Sequence, residues 1–398
     1  MKVMAIISEY NPFHNGHAYQ LATQKKELGC DGVIAVMSGS FVQRGEPAIC
    51  DKWARAEMAL QNGCDLVLEL PVLYSLQSAE GFAHGAVSLL KAIGFEGFLA
   101  FGSEVGDLSV LQSAADIIAS ADYLAELRAH LQKGESYPSA VAAAFHRCTK
   151  DEEAVPLTPN DILGIEYIKA IRKTEASLTP AVIQRRGDYN AQEAQGETAS
   201  ALAIRRMLAE QKNPSAFMPP SAYAILKREA ENGRAPIDHD MLGTLVSYAL
   251  MKSKRSDLEN ICGVSEGMEK RLMDAAAYTR DFDEMAMLAK TKRYPLTRIR
   301  RTLINCLLGI TKADEAIQPG YARILGVNSY GGAILRELSK RSFVPFINKC
   351  ADCSPKNTDA ERMFTLDCLA TDVYSLLYPK KETGKNGLDF YRSPVLIR

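Results

Sequence analysis

Two histidines one helical turn apart, His14 and His17, sit in the string Ser8-Glu9-Tyr10-Asn11-Pro12-Phe13-His14-Asn15-Gly16-His17. The apolar run VMAII (residues 3–7) precedes them, and Ala18, Leu21, Ala22 and Leu28 follow near helical spacing, with Gly29 as a stop. That pattern predicts a buried strand, a polar turn and a helix. A helix start carries N–H groups with no partner inside the helix, and its dipole puts positive potential there. Gly16 lets a ligand come close to that backbone. Two imidazoles at such a helix start make a site for a polyphosphate. The rival reading is a polar loop with two ordinary histidines. A place directly after the first strand of an α/β pattern favours the ligand site.

A metal reading of the pair is weaker. Zinc takes three or four His, Cys, Asp or Glu ligands, and no other His or Cys lies near in sequence. Cys350-x-x-Cys353 has neither a second pair nor a flanking His, so it reads as two thiols. No metal ligands are assigned. Neither G-x-x-x-x-G-K-[ST] nor G-x-G-x-x-G occurs, so P-loop and dinucleotide readings lack support.

The elements around the motif alternate. Gly32–Met37, Asp65–Leu70 and Gly97–Phe101 read as further strands, with helices at Trp53–Gln61 and Ala83–Ile93 between them. That rhythm implies a parallel sheet with helices on both faces. Ligands sit at the carboxyl ends of such strands. The polar clusters after VMAII, VIAVM and FLAF all lie there. Ser109–Ala144 reads as mainly helical with a break at Gly134, Asn160–Lys173 as a helix, and Leu178–Ile183 as a strand. The segment RRGDYNAQEAQGETAS reads as a loop, and Ala201–Gln211 as a helix ending before Asn213-Pro214. FMPPSAY marks the boundary between an α/β domain, residues 1–215, and a second, all-α domain, residues 216–398.

Composition bounds the rest. The chain has 398 residues, 47% hydrophobic and 24% charged, which excludes a mainly disordered protein. Lys+Arg is 47 against Asp+Glu 48, so any nucleic-acid binding must come from a local patch. One such patch holds Lys290, Lys292, Arg293, Arg298, Arg300 and Arg301, with no acidic residue from Ala289 to Lys312. It reads as a footprint for phosphate backbones, with Tyr294 as a candidate stacking ring. The competing reading is a solvated charged face. Gln43-Arg44-Gly45-Glu46, Lys52 and Arg55 form another polar set after the second strand. They face a ligand, or else Arg55 and Glu46 are a surface ion pair. The nine cysteines and the short apolar start imply free thiols, no membrane span and the cytoplasm.

HNGH resembles the H-x-G-H signature of the nucleotidylyltransferase superfamily. Ser200-Ala201-Leu202-Ala203-Ile204-Arg205 fits that superfamily's second phosphate motif, with Ser200 as the N-cap of its helix. Over nearly its whole length the chain is similar to the tRNA(Met) cytidine acetate ligases. SEYNPFHNGH, MSGSFVQRGEPAICDKWARAEMAL, DLVLELP, FGSE, NDILGIEYIKA and KTKRYPLTRIRRTLINCLLGI carry the likeness.

The resemblance implies a Rossmann-like adenylating domain and a helical, tRNA-binding domain. It implies activation of acetate with ATP and acetylation of N4 of the wobble cytidine in elongator tRNA(Met). His14, His17 and Arg205 would be catalytic, supplying positive charge and donors. ATP contacts would fall on Ile7, Ser8, Glu9, Asn11, His14, Gly16, His17 and Gln20, then on Gly102, Asn160, Ser200 and one of Arg185 and Arg186. The basic patch would hold tRNA. Mg²⁺ would accompany the pyrophosphate, held by phosphate oxygens and water. Where the family usually follows its Arg with a Gly-Ala-Gly-Tyr-His-like loop, this chain has Gly187-Asp188-Tyr189-Asn190-Ala191. An acetate ion is already ionised at neutral pH, so the first step needs no base. The second reads as needing placement of the cytosine more than acid–base help. Two alternatives stand beside this: an adenylyltransferase for a small phosphorylated metabolite, and a non-catalytic, ATP-sensing RNA-binding protein.

Overall fold

A computed structural model describes residues 1–149, 158–185, 199–265, 267–292, 294–353, 355 and 357–398. Arg186, Arg293 and most of the expected loop before Ser200 lie outside these residues. The strands are β1 (Val3–Ser8), β2 (Gly32–Ser38), β3 (Phe41–Val42), β4 (Glu46–Pro47) and β5 (Leu66–Leu70). They continue with β6 (Gly97–Ser103), β7 (Leu178–Gln184), β8 (Ala322–Asn328), β9 (Phe346–Ile347) and β10 (Val395–Ile397). The central sheet runs β10-β8-β5-β2-β1-β6-β7, with β9 beside β8. Every pair in it is parallel except β5 with β8. β3 and β4 form a separate antiparallel hairpin.

Helices cover both faces of this sheet. That is why β2 and β5, GVIAVMS and LVLEL, are buried at every position and apolar runs suffice to specify them. The chain leaves β1 toward β2 on one side and later returns to β6 on the other. A crevice therefore opens at the carboxyl ends of β1 and β6, the usual ligand position in such sheets.

The α/β class and the parallel sheet are as the sequence predicts. Most of the chain beyond residue 216 is helical, and it also supplies three strands. β8 pairs with β5, and β10 pairs with β8. The sheet is thus not confined to residues 1–215. The apolar edge of β5 needs a neighbour, and the short run ARILGVN provides it. A seven-residue run among strong helical patterns carries little strand signal of its own.

The region predicted as one long helical stretch is three helices, Leu108–Ala119, Ala121–Gln132 and Tyr137–Thr149. The break at Gly134 is there, at φ +81°. A second break falls at Ser120, whose hydroxyl caps the next helix by accepting the Tyr123 N–H at 3.2 Å. All nine cysteines are free thiols. Among the described residues no helix is long and apolar enough to cross a membrane.

Candidate active site

Helix α1 (Asn15–Glu27) begins just beyond β1, and His14 is its N-cap. The Nδ1 of His14 accepts the Gly16 N–H at 3.0 Å, and the Nδ1 of His17 accepts the His14 N–H at 3.3 Å. The rings stack with centroids 3.7 Å apart. With both Nδ1 atoms accepting, each neutral ring carries its proton on Nε2. Burial, then the Arg185 and Arg205 guanidiniums, push His14 down to about 3. Burial, then His14 and Arg185, hold His17 well below its usual value. The imidazoles are therefore neutral donors at neutral pH. In this structure the positive charge beside the rings lies on Arg185 and Arg205. Gly16 serves the histidine as much as a ligand, since a Cβ there would lie 2.9 Å from His14 Cε1.

A cleft of about 170 Å³ opens at this helix start. Ile7, Ser8, Glu9, Asn11, His14, His17, Gln20, Gly102, Asn160, Arg185, Ser200 and Arg205 all line it. Gly16 sits behind His14, and Arg186 is outside the described residues. Phe82, Phe101, Leu163 and Tyr167 add an apolar wall, and Gln43 and Arg44 a polar rim. The wall residues escape a search for polar motifs because they carry no spacing signal distinct from core.

Ser200 caps the helix Ala201–Ala209, accepting the Ala203 N–H at 3.1 Å. One turn on, Arg205 donates to the Asn11 carbonyl at 2.7 Å and to Glu46 at 2.7 Å. The alternative of an Arg55–Glu46 surface pair is not what forms, since Glu46 pairs with Arg205. Arg55 is fully buried, and its guanidinium donates to the carbonyls of Glu9 at 2.7 Å, Ser38 at 3.0 Å, Cys50 at 3.1 Å and Gly39. It ties the carboxyl end of β1 to that of β2. Lys52 is also buried, against Glu69 and Asp389. Of that polar set only Gln43 and Arg44 line the cleft; Glu46 stands behind Arg205.

Asn160 and Arg185 are joined by Glu104, a residue given no role on sequence grounds. Its Oε1 accepts from Asn160 at 2.6 Å and lies 3.5 Å from Arg185 Nε. Arg185 crosses the end of β6, and a Cβ on Gly102 would come within 2.9 Å of its Cγ. Gly102 is needed because the arginine lies on it.

The basic patch divides. Lys290 and Lys292 are exposed. Arg298 donates to the Gly263 carbonyl at 3.2 Å and lies over the Tyr294 ring, 5.0 Å from its centroid. Arg300 pairs with Asp283 at 2.7 Å. Arg301 donates to the Gln43 carbonyl at 3.0 Å, and burial pushes its guanidinium down to about 10. Tyr294 is only 6% exposed, so its ring belongs to the core and not to a stacking platform. Hydrophobic periodicity places Ile299 and Leu303 inward, but it does not reveal that three arginines of the same helix have partners within the fold. Gly45, at φ +75°, explains how this helix meets the cleft rim: a Cβ there would be 2.4 Å from the Arg301 nitrogen.

Among the described residues no group of three or more His, Cys, Asp or Glu side chains is placed to hold a metal ion.

The profile of the HIGH Nucleotidyl Transferase family matches residues 1–388. A tRNA(Met) cytidine acetate ligase from Caldanaerobacter subterraneus subsp. tengcongensis is 42% identical over 405 residues, covering all of both chains. The protein of that name from Thermosipho africanus is 40% identical over 424 residues, again covering all of both. The crystal structure of Thermotoga maritima TmcAL bound with alpha-thio ATP superposes with a TM-score of 0.92 at 35% identity, covering 100% of each chain. The histidine motif is shared across a broad superfamily, so the likeness that discriminates is the end-to-end one, helical part included. On that ground the chain belongs to the tRNA(Met) cytidine acetate ligase family of the HIGH nucleotidyl transferases.

Proposed function

We propose that this protein activates acetate with ATP, forming acetyl-adenylate and pyrophosphate, and then acetylates N4 of the wobble cytidine of elongator tRNA(Met). One observation carries the reading. His14, His17, Arg185 and Arg205 converge on one cleft at a helix start, in a chain alike end to end to relatives of that name.

The first step joins an acetate oxygen to the α-phosphorus and expels pyrophosphate. Negative charge grows on the phosphoryl oxygens. The Nε2–H groups of His14 and His17 offer preorganised donors, and Arg185 and Arg205 offer charge, aimed where negative charge develops. Glu46 and the Asn11 carbonyl hold Arg205 in place. Any Mg²⁺ would be held by phosphate oxygens and water and would screen the triphosphate charge. Residues 1–215 carry this step, and residues 216–398 hold the tRNA while lending strands to the sheet.

Incubation with ATP and labelled acetate, with and without tRNA, tests the reading. AMP and pyrophosphate are expected, not ADP, with N4-acetylcytidine in digested tRNA by mass spectrometry. Product from acetyl-CoA without ATP, or ADP as the nucleotide product, would contradict it. A metabolite adenylyltransferase would leave the RNA unmodified.

For tRNA, the exposed lysines matter most. Lys290→Ala with Lys292→Ala is expected to weaken tRNA binding and to lower the slope of log K against log salt by about one unit per lost phosphate contact. Binding isotherms at several salt concentrations check this, and an unchanged slope assigns the two lysines to ordinary surface.

A further inference from the structure

The transfer step has a proton to dispose of. N4 of cytidine attacks the acetyl carbonyl carbon of acetyl-adenylate. A C–N bond forms, the bond from that carbon to the phosphate oxygen breaks, and AMP leaves with the electron pair. N4 must lose one proton on the way. Placement of the cytosine alone leaves that proton without an acceptor.

Its groups can be sorted by whether they accept a proton. His14 and His17 present Nε2–H, because their Nδ1 atoms already accept main-chain N–H groups. They are donors. Arg44, Arg185 and Arg205 are cations. Asn11, Asn160, Gln20, Gln43, Ser8 and Ser200 are neutral and far too weakly basic. Among the described lining residues one carboxylate remains, Glu9, at the end of β1.

Glu9 is held in place. Its Oε1 accepts the Gln43 N–H at 3.0 Å, and its own carbonyl accepts from Arg55 at 2.7 Å. A carboxylate has two oxygens, so the main-chain bond does not exhaust it. We infer that the Glu9 carboxylate takes the N4 proton as the cytidine nitrogen attacks the acetyl carbon. The inference rests on the proposed acetate chemistry.

The surroundings suit the task. Burial, then Glu46, raise the Glu9 carboxyl above its usual value, against the pull of Arg205, the Gln43 N–H and Arg44. A base works best with its value moved toward the working pH.

Glu9→Gln keeps the shape and removes the basicity. Two rates are to be compared in the full-length protein: acetate-dependent ATP–pyrophosphate exchange, and single-turnover acetyl transfer to tRNA. Transfer is expected to fall about 10²-fold more than exchange, the lower end of what a positioned base contributes. In the wild type the transfer rate should rise with pH through the Glu9 titration, since only the ionised form accepts a proton. In Glu9→Gln that limb should vanish, and Glu9→Asp should restore part of it. A thermal midpoint of Glu9→Gln near that of the wild type reports that the variant is folded. Transfer within threefold of wild type with the limb intact, or an equal fall in both rates, overturns the inference. Absence of acetate-dependent exchange in the wild type removes the proposed function, and this inference with it.

Discussion

His14→Ala and His17→Ala are each expected to lower acetate-dependent ATP–pyrophosphate exchange by roughly 10²-fold or more, the loss typical of one preorganised donor at developing charge. Each side chain has two jobs. His14 caps α1 by accepting the Gly16 N–H, and His17 accepts the N–H of His14. Alanine removes both the donor and the cap. His14→Asn separates them, because Asn is a good N-cap yet offers no Nε2–H. The Asn variant should keep its thermal midpoint near wild type and still lose exchange. Exchange near the wild-type rate in both alanine variants would mean the adenylation site lies elsewhere.

The acid side gives a second check on the same pair. Both rings sit far below the ordinary histidine value. Between about 6.5, the ordinary value, and the folded-state value near 3 for His14, the unfolded chain binds a proton that folded His14 does not. Stability contributed by the neutral ring is therefore lost as pH falls through that window. Exchange by the free enzyme should show no histidine limb near pH 6.5. A limb there that disappears in His17→Ala would show that the imidazoles act as cations after all.

Local pattern was enough for the strand–turn–helix at residues 3–28 and for Ser200 as a cap. An apolar run, a polar turn and a capping residue all act within a few positions of themselves. The meeting of Ser200 and Arg205 with His14 followed from placing both motifs at the same end of one sheet. What stayed hidden depends on partners far along the chain. Arg55 looks like a surface charge until four carbonyls surround it. Glu46 has its partner at Arg205, 159 residues away. Arg298, Arg300 and Arg301 form one run in sequence and three separate sites in space. β8 reads weakly because its stabilisation comes from covering the edge of β5, which is not a property of ARILGVN itself.

Lys52→Met is expected to cost about 3–5 kcal/mol of stability, the range for breaking a buried ion pair on one side. Lys52 lies at the start of α2 (Lys52–Gln61), where it is 1% exposed. Its Nζ is 2.7 Å from Glu69 Oε1, 3.0 Å from Asp389 Oδ1 and 2.9 Å from Thr371 Oγ1. Arg323 of β8 completes the group, 2.8 Å from Asp389 and 3.4 Å from Glu69. Burial and Arg323 oppose the Lys52 charge, but Asp389 and Glu69 outweigh them and hold its ammonium above the usual value. Two cations and two anions balance. Without Lys52, two carboxylates face one guanidinium out of water. The members come from α2, β5, β8 and the turn Leu388–Tyr391, so the loss should loosen the C-terminal strands from the sheet. Guanidinium titration reads the effect as a shift in midpoint. Glu69→Leu added to Lys52→Met removes one charge of each sign and should cost less than the sum of the single changes. Strict additivity would mean the four groups do not act as a unit, and a loss below about 0.5 kcal/mol for Lys52→Met would place it among ordinary surface substitutions.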